Sequence, residues 1–168
     1  TADALCPTVN EYECALVLRC CQKAKIPVTI SAGRTNLTGS ATPEGGLVLS
    51  IEKMTQPSVK VDFELKILTS PVGIFLEDMR KEALRQSNNK LHYPVDPTSR
   101  EEALVGGILS CNASGFIPGP AGATRFWTEG LEFLTPNGHK FPCKRGEYIS
   151  ENGEFILEFP YESVTMKI

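Results

Sequence analysis

This sequence lacks several patterns that define a function on their own. Histidine is scarce, since only His92 and His139 occur among 168 residues, and neither belongs to a Ser–His–Asp set or a carboxylate–histidine cluster. The six cysteines include no Cys-x-x-Cys pair, which argues against zinc or iron–sulfur ligation. No basic cluster accompanies the net charge of −3, and no apolar run reaches the length of a membrane span. We therefore predict no metal site, no nucleic-acid partner and no membrane span.

The composition is that of an ordinary globular protein. The chain is 41% hydrophobic and 22% charged, and its length is sufficient for one domain with a real core. It begins Thr1-Ala2-Asp3, which is neither a methionine start nor the opening of a signal peptide, so we expect a trimmed piece of a longer protein. Asn36 and Asn112 each begin an Asn-x-Ser/Thr sequon, but both lie in loops assigned below to a ligand. We therefore expect a cytoplasmic location.

The first part of the chain predicts a small parallel unit. A strand ends at Leu5–Pro7, and a helix follows it to about Ala24. Thr8 and Glu11 have the spacing of a capping box, with Thr8 as the N-cap. Residues 26–30 then form a β-rich run, so that strand, helix and strand make a βαβ unit.

A loop of small and hydroxyl residues, Ser31 to Gly39, follows the second of these strands. The turn Pro43–Gly46 and another strand, Leu47–Ser50, come after it. Glycine permits unusual backbone dihedrals, and small side chains let several N–H groups and hydroxyls approach one anion, such as a phosphate or pyrophosphate. The loop taken alone also fits an ordinary turn between strands.

The second part of the chain predicts a strand, a helix and a long irregular segment. Residues 59–67 alternate between apolar and charged side chains, which predicts a half-exposed strand. A helix follows over about 73–86, and residues 94–125 are mostly loop with short regular pieces. Trp127 to Leu134 predicts another strand, followed by a hairpin turn at 136–139. Asn152-Gly153 marks a further turn before a strand at 154–159.

The irregular segment is rich in glycine, proline and short polar residues at three places. These are 93–99, 106–115 and 122–125. Together with the loop at 31–39, they suggest two walls around one elongated ligand.

The order of these motifs resembles the FAD-binding domain of FAD-linked oxidases. Thr35-Asn36-Leu37-Thr38-Gly39 comes first, then Pro94-Val95-Asp96-Pro97-Thr98-Ser99, Gly106-Gly107, Asn112-Ala113-Ser114-Gly115, Gly122-Ala123-Thr124-Arg125 and Gly130-Leu131-Glu132. The family includes vanillyl-alcohol oxidase, flavoprotein D-lactate dehydrogenases and the flavin subunit of glycolate oxidase. The resemblance runs from about Leu5 to Gly138.

The resemblance implies an α+β, PCMH-type FAD-binding fold. A small parallel βαβ subdomain would span residues 1–55 and carry the pyrophosphate loop at 31–39. A second subdomain, with a mainly antiparallel sheet and helices, would span 56–168. Relatives complete the FAD site with a later segment, so we expect this second subdomain to be incomplete at its C-terminus.

The resemblance also implies the residues that bind FAD. They are Gly33, Arg34, Thr35, Asn36, Leu37, Thr38 and Gly39 in the pyrophosphate loop, and Pro94, Asp96, Pro97, Ser99, Gly106, Gly107, Asn112, Ser114, Gly115, Gly122 and Arg125 in the second wall.

Four positions depart from the family pattern. Ala32 and Arg34 stand where glycines are frequent, and Arg34 would either contact a phosphate or point to solvent. Ala121 replaces a tyrosine before Gly122. Thr35 occupies the position at which some relatives attach FAD to a histidine, so we expect FAD to be held without a covalent bond.

The activity implied by the resemblance is the oxidation of a D-2-hydroxy acid, such as lactate or glycolate, to the 2-oxo acid. The flavin performs the redox chemistry, and the catalytic residues would come mostly from a substrate domain that follows. Two alternatives stay open: another reaction on the same domain, such as alkyl-ether-lipid synthesis or aromatic alcohol oxidation, and a non-catalytic flavin-binding or structural subunit. The expected partners are a small 2-hydroxy acid, an unidentified electron acceptor, and either a second copy or the other subunits of a flavoenzyme assembly.

Overall fold

The computed structural model describes residues 1–159 and 163–167. The elements, in chain order, are β1 (Ala4–Pro7), α1 (Glu11–Ala24), β2 (Val28–Ser31), β3 (Leu47–Ser50), β4 (Lys60–Asp62), β5 (Ile67–Thr69), α2 (Leu76–Gln86), α3 (Val105–Ser110), a 3₁₀ turn (Pro120–Gly122), α4 (Thr124–Trp127), β6 (Gly130–Leu134), β7 (Lys140–Lys144), β8 (Glu154–Glu158) and β9 (Ser163–Lys167). The predicted α+β class is confirmed. The proposed division into 1–55 and 56–168 stays a prediction, and residues 160–162 and 168 of its second part lie outside the described residues.

The first three strands form a parallel sheet in the order β1-β3-β2. Leu47 of β3 pairs with Ala4 on one side and with Val28 on the other. Helix α1 carries the chain from β1 to β2, as the βαβ pattern predicts, and β3 then enters between them. Because β2 and β3 are also parallel, the loop between them must return the chain from the carboxyl end of the sheet to its amino end.

Helix α1 begins two residues later than we predicted. Its N-cap is Asn10, whose side-chain oxygen accepts a hydrogen bond from the Glu13 N–H at 2.9 Å. Glu13 in turn accepts the Val9 N–H, also at 2.9 Å. The expected cap, Thr8, is only 1% exposed, and its hydroxyl donates to the carbonyl of Ser50. Thr8 cannot cap the helix because it is already used to fix the end of β1 against β3.

Residues 59–67 belong to a hairpin, and the single strand that we predicted is wrong. Strands β4 and β5 pair antiparallel, and Asp62 Oδ1 accepts the Leu65 N–H at 2.9 Å in the turn between them. Lys66 takes a left-handed conformation with φ 55°. Phe63 and Leu65 are therefore exposed at the tip. Aspartate favours such turns through its side-chain hydrogen bond, which the alternation of apolar and charged residues conceals.

The predicted helix at 73–86 is present as α2, beginning at Leu76. Leu76, Met79 and Ala83 are buried as expected, whereas Phe75 and Leu84 are partly exposed. The segment 94–125 holds only α3, a 3₁₀ turn and the start of α4, as predicted.

The β-rich end of the chain follows the predicted turns. Strand β6 begins at Gly130, because Trp127 still belongs to α4. Leu134 of β6 pairs with Lys140 of β7 across the hairpin turn. Strands β8 and β9 form a third antiparallel pair after the turn at Asn152-Gly153.

Two clusters of buried side chains form the core, and they meet just before α3. One contains Val59, Leu76, Met79, Ala103, Val105 and Ile108, and the other contains Cys14, Leu49, Ile51 and Leu104. Ala103 and Val105 therefore pack into the first cluster, while Leu104 packs into the second. These three consecutive residues join the parallel sheet to the second part of the chain.

The β6–β7 hairpin is also attached to helix α1. Arg19 donates from Nε to the carbonyl of Asn137 at 3.3 Å and from a terminal nitrogen to the carbonyl of Gly138 at 3.1 Å. Gly138 has φ 73°, and a Cβ there would lie 2.6 Å from the carbonyl oxygen of Ala15. Only glycine therefore fits this turn at this distance from the helix.

We expect Leu49→Ala to lower the free energy of unfolding by about 2–5 kcal/mol, because Leu49 is fully buried in β3. Urea denaturation followed by circular dichroism measures the loss. The matched control is Leu65→Ala at a side chain that is 68% exposed, and it should change stability by less than about 0.5 kcal/mol. Equal losses in both variants would contradict the assignment of Leu49 to the core.

Candidate functional site

The loop that leaves β2 packs directly against the segment before α3. A Cβ on Gly33 would lie 2.3 Å from the carbonyl oxygen of Glu102 and 3.0 Å from the backbone nitrogen of Leu104. A Cβ on Gly107 would lie 3.1 Å from the Cβ of Ala32. These contacts leave no space for a larger side chain at Gly33 and little at Gly107. The two predicted walls are therefore adjacent in the structure.

Two residues of the loop have left-handed backbone conformations. Arg34 has φ 59°, and Gly39 has φ 76°. Glycine adopts the first value readily, whereas few residues with a Cβ do. The end of the loop is open to solvent: Leu37, Thr38 and Gly39 are all exposed.

Asn36 holds an unpaired polar atom inside the loop. Its Oδ1 is buried and has no hydrogen-bond partner among the residues that the structure describes. Buried polar atoms almost always have a partner, and an exception is expected where a ligand or water completes the site. FAD fits this position chemically, because its ribityl and ribose hydroxyls are donors. The glycines fit it as well, because a small-residue loop leaves its N–H groups accessible to a pyrophosphate.

The second wall is held together by contacts between its own motifs. A Cβ on Gly115 would lie 2.5 Å from the backbone nitrogen of Asp96. Asp96 Oδ1 accepts the Phe116 N–H at 3.2 Å, and the Gly115 N–H donates to the carbonyl of Gly122 at 2.9 Å. The motifs at 94–99, 112–115 and 122–125 thus form one connected structure.

The last of these motifs is fixed by polar side chains. Asn112 Oδ1 accepts the Arg125 N–H at 3.0 Å, and the hydroxyl of Thr124 donates to the carbonyl of Ala113 at 2.8 Å. Arg125 and Ser114 are exposed, whereas Thr124 is 1% exposed. Thr124 stands within a quoted motif but not among the predicted site residues. Its burial and its bond to Ala113 assign it a positioning role.

The remaining predicted residues lie around the start of α3. The carbonyl of Ser99 accepts the N–H groups of Glu102 and Ala103, at 2.9 and 2.8 Å. A Cβ on Gly106 would lie 2.7 Å from Cδ1 of Ile51, so this glycine permits close packing of α3 on the core. Pro94, Pro97 and Thr35 are half-buried. That these residues contact FAD stays a prediction.

Tyr93 precedes the Pro94 motif and was not predicted as part of the site. Burial raises the pKa of its phenol, while a hydrogen bond with Thr124 acts in the opposite direction. Tyr93 is therefore protonated at neutral pH, and its side chain packs against the buried cluster that contains Ile108. No pattern in the sequence distinguishes it from the other tyrosines.

Two further findings concern the described part of the chain. Within it, no group of three or more His, Cys, Asp or Glu side chains lies in a position to hold a metal ion. None of its helices has the length and apolar character needed to cross a bilayer.

Comparison with known families identifies the family of the chain. The chain matches the family described as the FAD binding domain over residues 3–143. It therefore belongs to this family, and its cofactor is FAD. This confirms the resemblance on which the site prediction was based.

Two curated proteins are similar to most of the chain. The Bacillus subtilis glycolate oxidase subunit GlcD is 33% identical over 138 residues, which cover 81% of this chain and 28% of that protein. The D-2-hydroxyglutarate dehydrogenase of Xanthomonas citri pv. viticola is 36% identical over 140 residues, which cover 82% of this chain and 28% of that protein. The chain thus spans less than a third of the length of these relatives.

A solved structure shares the fold. Alkyldihydroxyacetonephosphate synthase superposes with a TM-score of 0.74 at 21% identity, covering 88% of this chain and 27% of that one. At this identity the similarity establishes the fold alone, and it confirms the predicted PCMH-type FAD-binding fold.

We expect Gly33→Ala to lower the free energy of unfolding by about 1–3 kcal/mol, because the added Cβ would displace the loop from the carbonyl of Glu102. Urea denaturation again measures the effect. Gly130→Ala is the matched control, since its Cβ would meet nothing nearer than 3.4 Å. A Gly33→Ala variant as stable as Gly130→Ala would show that the two walls are not in close contact.

Proposed function

We propose that this chain is the cofactor-binding part of a flavoprotein that oxidises a 2-hydroxy acid, of the D-lactate or glycolate type, to the 2-oxo acid. The names of both curated relatives support this substrate class, because glycolate and D-2-hydroxyglutarate are 2-hydroxy acids. The alternative of alkyl-ether-lipid synthesis has weaker support, since the similarity to that synthase is 21% and extends to the fold alone.

The observation that carries the proposal is the unpaired Oδ1 of Asn36, beside the tight contact of Gly33 with the α3 segment. An unsatisfied buried acceptor destabilises a folded protein by about 1–3 kcal/mol unless a ligand supplies a donor. FAD supplies such donors next to a pyrophosphate, and the loop around Asn36 has the composition of a pyrophosphate site. The same residues therefore provide an acceptor for hydroxyls and N–H donors for phosphate oxygens.

The residues of the chain bind and orient the cofactor. When bound, FAD would supply the hydride-accepting chemistry of the oxidation. The loop at 31–39 would hold the pyrophosphate, and the connected motifs of the second wall would fix the remainder of the cofactor through backbone groups. Asn112 and Thr124 keep that wall in place through their bonds to Arg125 and Ala113.

Two further features belong to the proposal. The first is that FAD is held without a covalent bond, because Thr35 stands at the position where some relatives have a tethering histidine. The second is a cytoplasmic location. Both sequons lie in the loops of the site, and the side chain of Asn112 is already bonded to the backbone of Arg125.

Replacing Asn36 by alanine should separate binding from stability. Removing an unpaired buried acceptor should leave the free energy of unfolding of the cofactor-free protein unchanged or higher. Loss of its bond to FAD should weaken FAD binding about tenfold. Flavin fluorescence titration and urea denaturation measure the two quantities. Gln22→Ala, which removes an exposed amide from α1, is the control. An unchanged FAD affinity in Asn36→Ala would exclude Asn36 from the site.

The absence of a covalent bond is tested by acid denaturation of the FAD-loaded protein followed by filtration. The yellow colour should pass through the filter while the polypeptide is retained. Flavin that stays with the polypeptide would contradict the proposal.

The reaction is tested with two proteins: the 168-residue chain and the full product of the reading frame that contains it. D-Lactate, glycolate and D-2-hydroxyglutarate are offered with an artificial electron acceptor. We expect the full product to reduce the acceptor with at least one of these acids. The 168-residue chain alone should bind FAD more weakly and show no turnover. A full product that binds FAD but oxidises none of the three acids would overturn the proposed substrate class.

A further inference from the structure

Arg34 adopts a conformation that is unusual for its residue type. Its φ of 59° lies in the left-handed region, where a side chain with a Cβ is sterically disfavoured. Glycine adopts this conformation without a Cβ clash, so the backbone alone does not require arginine. Such outliers at functional sites justify a search for a functional reason.

The contacts of Arg34 within the protein are too weak to explain its presence. Its guanidinium lies 3.8 Å from Glu52 Oε2, with side-chain exposures of 68% and 45%. An ion pair this long and this exposed contributes little to stability. The guanidinium is therefore held only loosely and is accessible to another anion.

Arg34 lies where a negatively charged ligand is expected. Gly33 on one side is packed against the α3 segment, and Asn36, two residues further on, carries the unpaired Oδ1. Arg34 also lines a cavity of about 450 Å³ together with Ser31, Ala41, Pro43 and Val48. Arg34 is the one cationic side chain in that lining. The carboxylate of Asp3, which also lines it, accepts the N–H of Gly46 at 2.7 Å.

We propose that Arg34 is a pyrophosphate-binding side chain, and that its guanidinium exchanges Glu52 for the phosphate oxygens of FAD when the cofactor binds. This inference rests on the proposed FAD site in the loop at 31–39. Guanidinium groups bind phosphate through paired, charge-assisted hydrogen bonds, which are stronger than a long contact with an exposed carboxylate. Glu52 is then a competing anion that weakens FAD binding.

If the exchange occurs, removing the charge of Arg34 and removing that of Glu52 should change the affinity for FAD in opposite directions. Arg34→Gln should weaken FAD binding about tenfold at low salt, the loss expected for a charge-assisted contact. It should also make the affinity less dependent on salt, because one charge contact is removed. Glu52→Gln should strengthen FAD binding, since it removes the competing carboxylate. Arg34→Lys should lie between the parent and Arg34→Gln, because lysine keeps the charge without the planar fork.

The test is fluorescence titration with FAD at low salt and at about tenfold higher salt, using the full product of the reading frame that contains the 168-residue chain. Arg85→Gln is the matched control: its side chain is 69% exposed, close to the 68% of Arg34, and it pairs with Glu82 on α2. Circular dichroism confirms that each variant is folded. The control should retain both the affinity and the salt dependence of the parent chain.

The outcomes separate this inference from the proposed function. Parent-like affinity and salt dependence in Arg34→Gln would overturn the role of Arg34 and leave the FAD site in place. Weaker binding in both Arg34→Gln and Glu52→Gln, with an unchanged salt dependence, would also overturn it, because that result assigns the pair a purely structural role. A full product that does not bind FAD would overturn both the inference and the proposed function.

Discussion

The contact between Gly33 and the backbone of Glu102 and Leu104 is the constraint on which the site depends. It joins a loop that follows a parallel strand to a segment about seventy residues further along the chain. The same segment supplies Ala103 and Val105 to one hydrophobic cluster and Leu104 to the other. Burial of these side chains stabilises the fold and, at the same time, fixes the distance between the two walls. The geometry of the site is therefore a product of core packing as well as of the loops themselves.

The pyrophosphate loop combines rigid and open parts. Its beginning is packed, with Ser31 buried and Gly33 in contact with the neighbouring backbone, whereas Leu37 and Gly39 are exposed. Asn36 lies between these parts, and its Oδ1 has no hydrogen-bond partner in the described part of the chain. Such an arrangement costs stability in the empty protein and lowers the reorganisation required when a ligand supplies the missing bond. The loop thus favours ligand binding at the expense of the stability of the empty protein.

Much of the fold could be predicted from the sequence, because its signals are local. Helices α1 and α2, the parallel unit, and the turns at 136–139 and 152–153 all follow from periodicity or turn chemistry. One error arises where a residue has a competing tertiary role. Thr8 has the spacing of an N-cap, but its burial against Ser50 leaves that role to Asn10.

The site itself could be anticipated only in part. The order of the glycine-containing motifs predicted the cofactor and the segments that surround it, because residue type and position along the chain can be read from the sequence. The unpaired atom of Asn36, the contact of Gly33 with Glu102, and the roles of Tyr93 and Thr124 depend on distances between remote parts of the chain. Such distances have no signature in a single sequence.

The attachment of Arg19 to the β6–β7 hairpin has a consequence for how the chain folds during synthesis. The hydrogen bond from Arg19 to Gly138 spans 119 positions, so helix α1 emerges from the ribosome long before its carbonyl partners exist. One face of helix α1 therefore stays uncovered until the β6–β7 hairpin has been translated. Contacts of such long sequence separation slow folding and expose intermediates to aggregation. A nascent chain stalled before Gly138 would therefore present the uncovered face of α1 to chaperones, although its βαβ unit is already complete.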